Sequence, residues 1–414
     1  MRSPKPSLVL FLVAVMVAAI AVATSVNPPA EAPSGFDGLS NGMVDQATHD
    51  FDAGQFSEVE QIDDGLGPLY NAQSCRECHQ NPTTGGISQV TELRVGHKDA
   101  RGHFVAPTVY AADGSLLTVG RSLINDRATC PEIQERVPDT ETIRTFRTSL
   151  NVLGDGFVEA VADETFLDIA ERQRRQSNGA IQGQVIYVDL LEAQGRRRVG
   201  RFGWKNQHAS LLSFAADAYL NEMGFTSPLA LTEVVDRCNT VPQLNDKKGA
   251  DGLFDIDHFA RFVRASTAPP RDAQLALTLD ARLGEELFRS VGCATCHVPA
   301  MVTAPAGTKI NGNMFTVPES LGNKLFHPFS DFLLHDVGTG DGIVQNGGQV
   351  TANKLRTPPL WGVRTRDRLM HDGQSLTLLE AIQRHGGEAS RVIEEFRELS
   401  EAERQRIIFF LRTL

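Results

Sequence analysis

The chain has 414 residues, 41% of them hydrophobic, which allows a sizeable core and suits two domains or one with insertions. Its 40 basic and 51 acidic side chains leave a formal net charge of −11. No lysine/arginine-rich arm or basic stripe is present, which argues against a nucleic-acid partner, and Arg196-Arg197-Arg198 reads as a solvated hairpin edge.

In chain order, Arg2 and Lys5 precede an apolar run over residues 8–23 that closes on Ala21-Val22-Ala23. A basic start, a mid-length apolar stretch and a small-residue end predict a secretory signal over residues 1–23. An uncleaved anchor is the alternative, because the run is near the lower length limit for a bilayer span. Residues 24–35 are rich in Pro, Ala and Ser and read as a linker outside the fold. Residues 36–75 predict short helices and turns. Residues 185–202 are rich in β-branched and aromatic side chains and break at 192–195, which predicts a β-hairpin. Helical patterns follow at 210–223 and 256–265, and Ala268-Pro269-Pro270 then punctuates the chain. The boundary falls there, giving an N-terminal domain at 36–268 and a C-terminal domain at 269–414. Beyond it, Leu279–Val291 is amphipathic, with Leu283, Leu287 and Phe288 on one face. Residues 299–350 are Gly-rich and aperiodic, and so much irregular chain usually wraps something. Residues 376–384 predict a helix ending at His385. Ser400 and Glu403 form an S-x-x-E capping box that opens a last helix carrying Ile407, Ile408, Phe410 and Leu411.

Two strings carry chemistry: Cys75-Arg76-Glu77-Cys78-His79 and Cys293-Ala294-Thr295-Cys296-His297. In C-x-x-C-H the two thiols add across haem vinyl groups as thioethers, and the adjacent His is thereby set under the iron. A zinc ribbon would need four thiolates close together, whereas these pairs lie far apart in sequence. The expected cofactors are two covalently bound haem c groups. The expected fold is mainly α: two cytochrome c-like haem domains with long irregular loops and a small β-hairpin insertion. In an oxidising compartment cysteines without a cofactor usually pair. The remaining two, Cys130 and Cys238, form a disulfide, stay as buried thiols, or act as a redox pair.

Three further strings carry a resemblance: Gly65-Leu66-Gly67-Pro68-Leu69-Tyr70-Asn71-Ala72-Gln73-Ser74-Cys75, His327-Pro328-Phe329-Ser330-Asp331-Phe332-Leu333-Leu334-His335-Asp336, and Arg356-Thr357-Pro358-Pro359-Leu360-Trp361-Gly362. With them the chain, over roughly residues 36–414, resembles the bacterial di-haem oxidoreductase family, described as peroxidase-type and sometimes as thiol oxidoreductases. More distantly it is similar to di-haem cytochrome c peroxidases, the di-haem enzyme that matures methylamine dehydrogenase, and di-haem rubber oxygenases. The resemblance implies a periplasmic oxidoreductase that uses peroxide or another small molecule, exchanging electrons with a small redox protein or a quinol-linked donor. It also leaves room for a calcium ion between the haems.

Residue by residue, it implies that His385 is the second ligand of the C-terminal haem, in the segment Thr377-Leu378-Leu379-Glu380-Ala381-Ile382-Gln383-Arg384-His385-Gly386, where the family carries Met. It implies that Trp204 lies between the haems and that Glu222, in Glu222-Met223-Gly224, is the acid/base of a reactive N-terminal haem. Phe214 stands near the place of the family's helper glutamine. His97 or His103 is a candidate cap for the first haem. Arg94, Arg144 and Arg147 are candidate propionate partners, and His371-Asp372-Gly373 resembles a family turn on the propionate side. The alternatives are an electron-transfer protein without turnover, and dioxygen-dependent oxidation of an organic substrate.

Overall fold

Helices form where an apolar stripe and a cap coincide. The computed structural model describes residues 28–414, and the expected signal segment, residues 1–23, lies outside the described residues. Ser210 caps the Leu211–Met223 helix by accepting the Ser213 N–H, and Thr278 caps Leu279–Val291 through Ala281 N–H. The Ser400/Glu403 box opens Glu401–Leu411 as expected. Helix Asp255–Ala265 packs against both Leu211–Met223 and Gln46–Ser57. No helix among the described residues is long and apolar enough to cross a membrane.

The mainly α expectation fails. Helix accounts for 31% of the chain and strand for 17%, in many small sheets. Most of the unexpected strand lies between residues 91 and 148. There Thr91–Lys98 pairs antiparallel with Ile143–Thr148, setting Arg94 opposite Thr145, and also with Leu123–Ile124 and Phe104–Val105. A second sheet orders Leu116–Val119, Thr108–Ala111 and Glu135–Arg136. These strands hide in the sequence because charged residues occupy one alternation face. Glu92 and Arg94 point into a cavity rather than to solvent, which blurs the apolar/polar period. The expected hairpin does form, as Tyr187–Asp189 with Arg197–Val199.

A second correction concerns the linker at 24–35. Ala30–Glu31 pairs in parallel with Lys324–Phe326, and Gly35 N–H donates to Ala268 O at 2.9 Å. The prolines there disfavour a helix but leave strand pairing at an edge open.

The larger apolar core draws on both sides of position 268: Phe157, Phe166, Phe202 and Phe225 pack with Phe326 and Phe332. A smaller core of Phe288, Phe329, Phe396 and Phe410 backs the second C-x-x-C-H string. It depends on a close crossing of Leu279–Val291 with Glu401–Leu411. A Cβ at Gly284 would meet Arg406 O at 2.0 Å, so only glycine lets these backbones approach.

Candidate functional site

Ser74 opens a single helical turn, Cys75–Cys78, by accepting the Glu77 N–H at 3.2 Å. His79 N–H closes onto Cys75 O at 3.1 Å, and in the second string His297 N–H closes onto Cys293 O at 3.0 Å. One tight turn thus carries two thiols and an imidazole to one wall in each case. All four thiols are free, whereas Cys130 and Cys238 are joined in a disulfide with Cα atoms 6.2 Å apart.

Three imidazoles are held alike. Nδ1–H donates to a backbone carbonyl in His79 (Gly86 O, 3.2 Å), His297 (Phe329 O, 3.0 Å) and His385 (Ala381 O, 2.8 Å). A carbonyl can only accept, so the proton sits on Nδ1 and Nε2 keeps its lone pair. Burial lowers the pKa of all three; His297, with His385 beside it as the next cause, is pushed down to about 4. They are neutral at pH 7, the form that binds metal. The rings of His297 and His385 face one another with centroids 6.5 Å apart. Two metal–imidazole bonds of about 2 Å each, plus the inner halves of the rings, come to about 6 to 6.5 Å.

Between those rings lies a cavity of about 180 Å³. Its walls are apolar except for a few groups left without partners. Arg356 Nε, Arg366 Nη2, Thr339 Oγ1 and His371 Nδ1 line it, are buried, and make no hydrogen bond. Burial pushes both arginines down to about 10, each facing little opposing charge. Orphaned buried donors are costly, and two guanidiniums in an apolar cavity suit the carboxylates of a large planar ligand. A haem fits this donor set: free thiols, lone-pair imidazoles on facing walls, and cations for the propionates.

The first string faces two adjoining cavities, of about 150 and 110 Å³, both lined by Cys78, His79, Phe214 and Glu222. No other histidine lines them among the described residues. Phe214, Ala218 and Glu222 share one helix face, at i, i+4 and i+8. Glu222 accepts from Asn71 Nδ2 at 2.7 Å and is hydrogen-bonded to Glu92. Burial, then the Glu92 carboxylate, push the Glu222 pKa up to about 8. Burial also opposes ionisation of Glu92, but Arg94, bound through Nε and Nη2 at 2.8 Å each, outweighs it and keeps that carboxylate charged. At neutral pH the pair therefore holds one proton, on Glu222.

Trp204 lines both the first and the second cavity, as does Arg356. Its indole is buried, donates to Thr148 O at 2.8 Å, and meets the His371 ring edge-on at 6.1 Å. Other candidates fall elsewhere. His97 is bound to Glu141 at 2.8 Å and His103 is exposed, and neither lines the three cavities described. Arg94 and Arg147 reach the first cavity, but each is already paired, Arg94 with Glu92 and Arg147 with Asp341. Arg144 bonds to loop carbonyls instead. Cys130 and Cys238 line none of these cavities.

Sequence reasoning missed Glu92, Arg356 and Arg366. Glu92 carried a usable signal, since Glu92-x-Arg94 puts two opposite charges on one face of a strand. Arg356 opens one of the three family-like strings, which gave it a place but no role, and nothing local singles out Arg366.

Lone-pair imidazoles set into large apolar cavities, with cations on the walls, define a haem-binding redox protein. Residues 124–414 match the family described as "Di-haem oxidoreductase, putative peroxidase", and the chain belongs to that family, which makes it a haem-dependent oxidoreductase. Nothing among curated proteins matches the chain. Among solved structures it is distantly similar to the diheme peroxidase BthA from Burkholderia thailandensis E264 (13% identity, 94% of each chain, TM-score 0.44). It is also similar to hydrazine synthase from Kuenenia stuttgartiensis (14%, 97% of this chain and 99% of that one, 0.39). A MauG-like protein associated with microbial copper homeostasis matches over 52% of this chain and 71% of its own (18%, 0.32).

Proposed function

We propose that the chain is an exported, periplasmic di-haem c-type peroxidase. One haem is attached at Cys75 and Cys78 with His79 as ligand, the other at Cys293 and Cys296 with His297 and His385. Electrons from a small redox protein or quinol-linked donor enter at the second and are used on peroxide at the first. The observation that carries this reading is an asymmetry. Two facing imidazoles close the second cavity, whereas His79 faces a cavity whose far groups are a carboxylic acid and a carboxylate.

When bound, haem would supply one-electron chemistry and a place for peroxide. The chain supplies the rest. His385, held by Ala381 O, would with His297 hold the second haem and leave no place there for peroxide, so that haem would serve electron transfer. Glu92 can take a proton while Glu222 gives one, so the pair passes a proton from one peroxide oxygen to the other without a change in its own charge. Asn71 fixes the Glu222 carboxyl, and Arg94 keeps Glu92 the more acidic partner. Trp204, which lines both cavities, is the aromatic link between them. The disulfide and the signal-like N-terminus support an oxidising compartment.

The test is steady-state peroxide consumption by the purified holoprotein with a reduced donor, together with the resting spectrum. Turnover well above that of free haem, with one haem lacking a second protein ligand, is expected. Two six-coordinate resting haems with turnover no faster than free haem would overturn the proposal in favour of simple electron transfer.

A further inference from the structure

Lys205 follows Trp204 directly, is almost wholly buried, and has an ammonium surrounded by oxygen. Nζ donates to Ala352 O and Lys354 O at 2.8 Å each and to Thr351 O at 3.1 Å, and lies 2.9 Å from Asp341 Oδ1. Three carbonyls and a carboxylate converging on one point form the kind of shell that a hard cation takes. Here a side chain fills it.

The shell is built rather than incidental. A Cβ at Gly340, next to Asp341, would meet Asn353 O at 2.1 Å, so the carboxylate segment lies directly against the carbonyl segment. The carbonyls belong to residues 351–354, and two residues further on Arg356 N–H donates to Trp204 O at 2.8 Å. The ammonium therefore clamps together the two segments that carry Trp204 and Arg356, the two residues that wall both large cavities.

Charge decides which cation such a shell suits. Asp341 is already held by Arg147, through Nε at 2.8 Å and Nη2 at 2.7 Å. One carboxylate thus serves a guanidinium and the caged charge together, and a second positive charge at the centre would be unbalanced. Four oxygens are also fewer than the six to eight that calcium takes. An ammonium, one positive charge with three N–H donors, matches both counts.

We propose that Lys205 is a tethered monovalent cation: its ammonium fills a preformed oxygen cage and thereby positions Trp204 and Arg356 in the partition between the cavities. The inference does not rest on peroxide chemistry, so it can fail or stand separately from the proposed function.

The test replaces the tether and returns the charge. Lys205→Ala holoprotein should have a lowered unfolding midpoint that methylammonium or potassium restores by several degrees, saturably, with calcium less effective. Lys205→Met, whose side chain refills the space without charge, should be destabilised and unresponsive. In the Ala variant, methylammonium should also return the shifted reduction potentials of the holoprotein to wild-type values, which added stability alone would not do. An Ala variant with wild-type stability, or one that no monovalent cation rescues, would overturn the proposal. If neither variant folds, the wild type decides. Its midpoint and haem spectrum should not change on chelation or on titration with potassium or calcium, and a saturable response would show that a soluble ion, not Lys205, fills the cage.

Discussion

Glu222 and Glu92 share a cavity wall with one proton between them, and that arrangement makes a directional claim about pH. Because burial and Glu92 raise the Glu222 pKa to about 8, Glu222 can donate below that pH and cannot above it. Peroxide turnover as kcat/KM should therefore fall as pH rises through about 8. Glu222→Gln should lose that limb and lower the rate by about 10²- to 10⁴-fold, the usual worth of a placed acid/base. An unchanged pH profile in the Gln variant would remove Glu222 from the chemistry. His385 makes a separate claim. In His385→Met the reduction potential of the second haem should rise, since thioether ligation favours the reduced iron, and redox titration measures it. At this scale the sequence was readable wherever chemistry demands contiguity. Cys75, Cys78 and His79 are adjacent because one turn must present all three. Glu92 and Arg366 come from strands and loops far apart in sequence, and only the fold brings them to the cavities.

Helices announce themselves through stripe and cap together, so those over 211–223 and 279–291 are legible in the residues alone. The strands of residues 91–148 are not. Their inward face carries charges that serve a cavity, and the rule that inside means apolar fails where the inside is a site. The crossing at Gly284 is equally silent, because a glycine within an amphipathic helix gives no sign of what approaches it. Gly284→Val should force the Leu279–Val291 and Glu401–Leu411 helices apart, at a cost on the order of 3 kcal/mol. Because Phe288 and Phe410 back His297, the second site should suffer first. Chemical denaturation checks the stability, and a low-spin haem spectrum that weakens only for the second haem checks the locality.

Across the whole molecule the larger core joins residues from both sides of position 268, so the punctuation at Ala268-Pro269-Pro270 marks a change of segment within shared packing. The Cys130–Cys238 link spans 108 residues and ties the 116–136 sheet region to the 227–247 loops. Replacing both cysteines by Ser should lower stability by about 2–5 kcal/mol and leave haem attachment and turnover intact, since neither residue lines any of the three cavities. Lost turnover in a folded double variant would point instead to thiol chemistry. In the proposed function, electron entry and proton transfer both depend on the two C-x-x-C-H turns holding haem covalently. Mass spectrometry of the denatured holoprotein tests that most directly. The predicted mass exceeds that of the polypeptide by two haems, falling to one in Cys75→Ala/Cys78→Ala and to the other in Cys293→Ala/Cys296→Ala. A bare polypeptide mass with four free thiols, from cells that mature other c-type cytochromes, would contradict it.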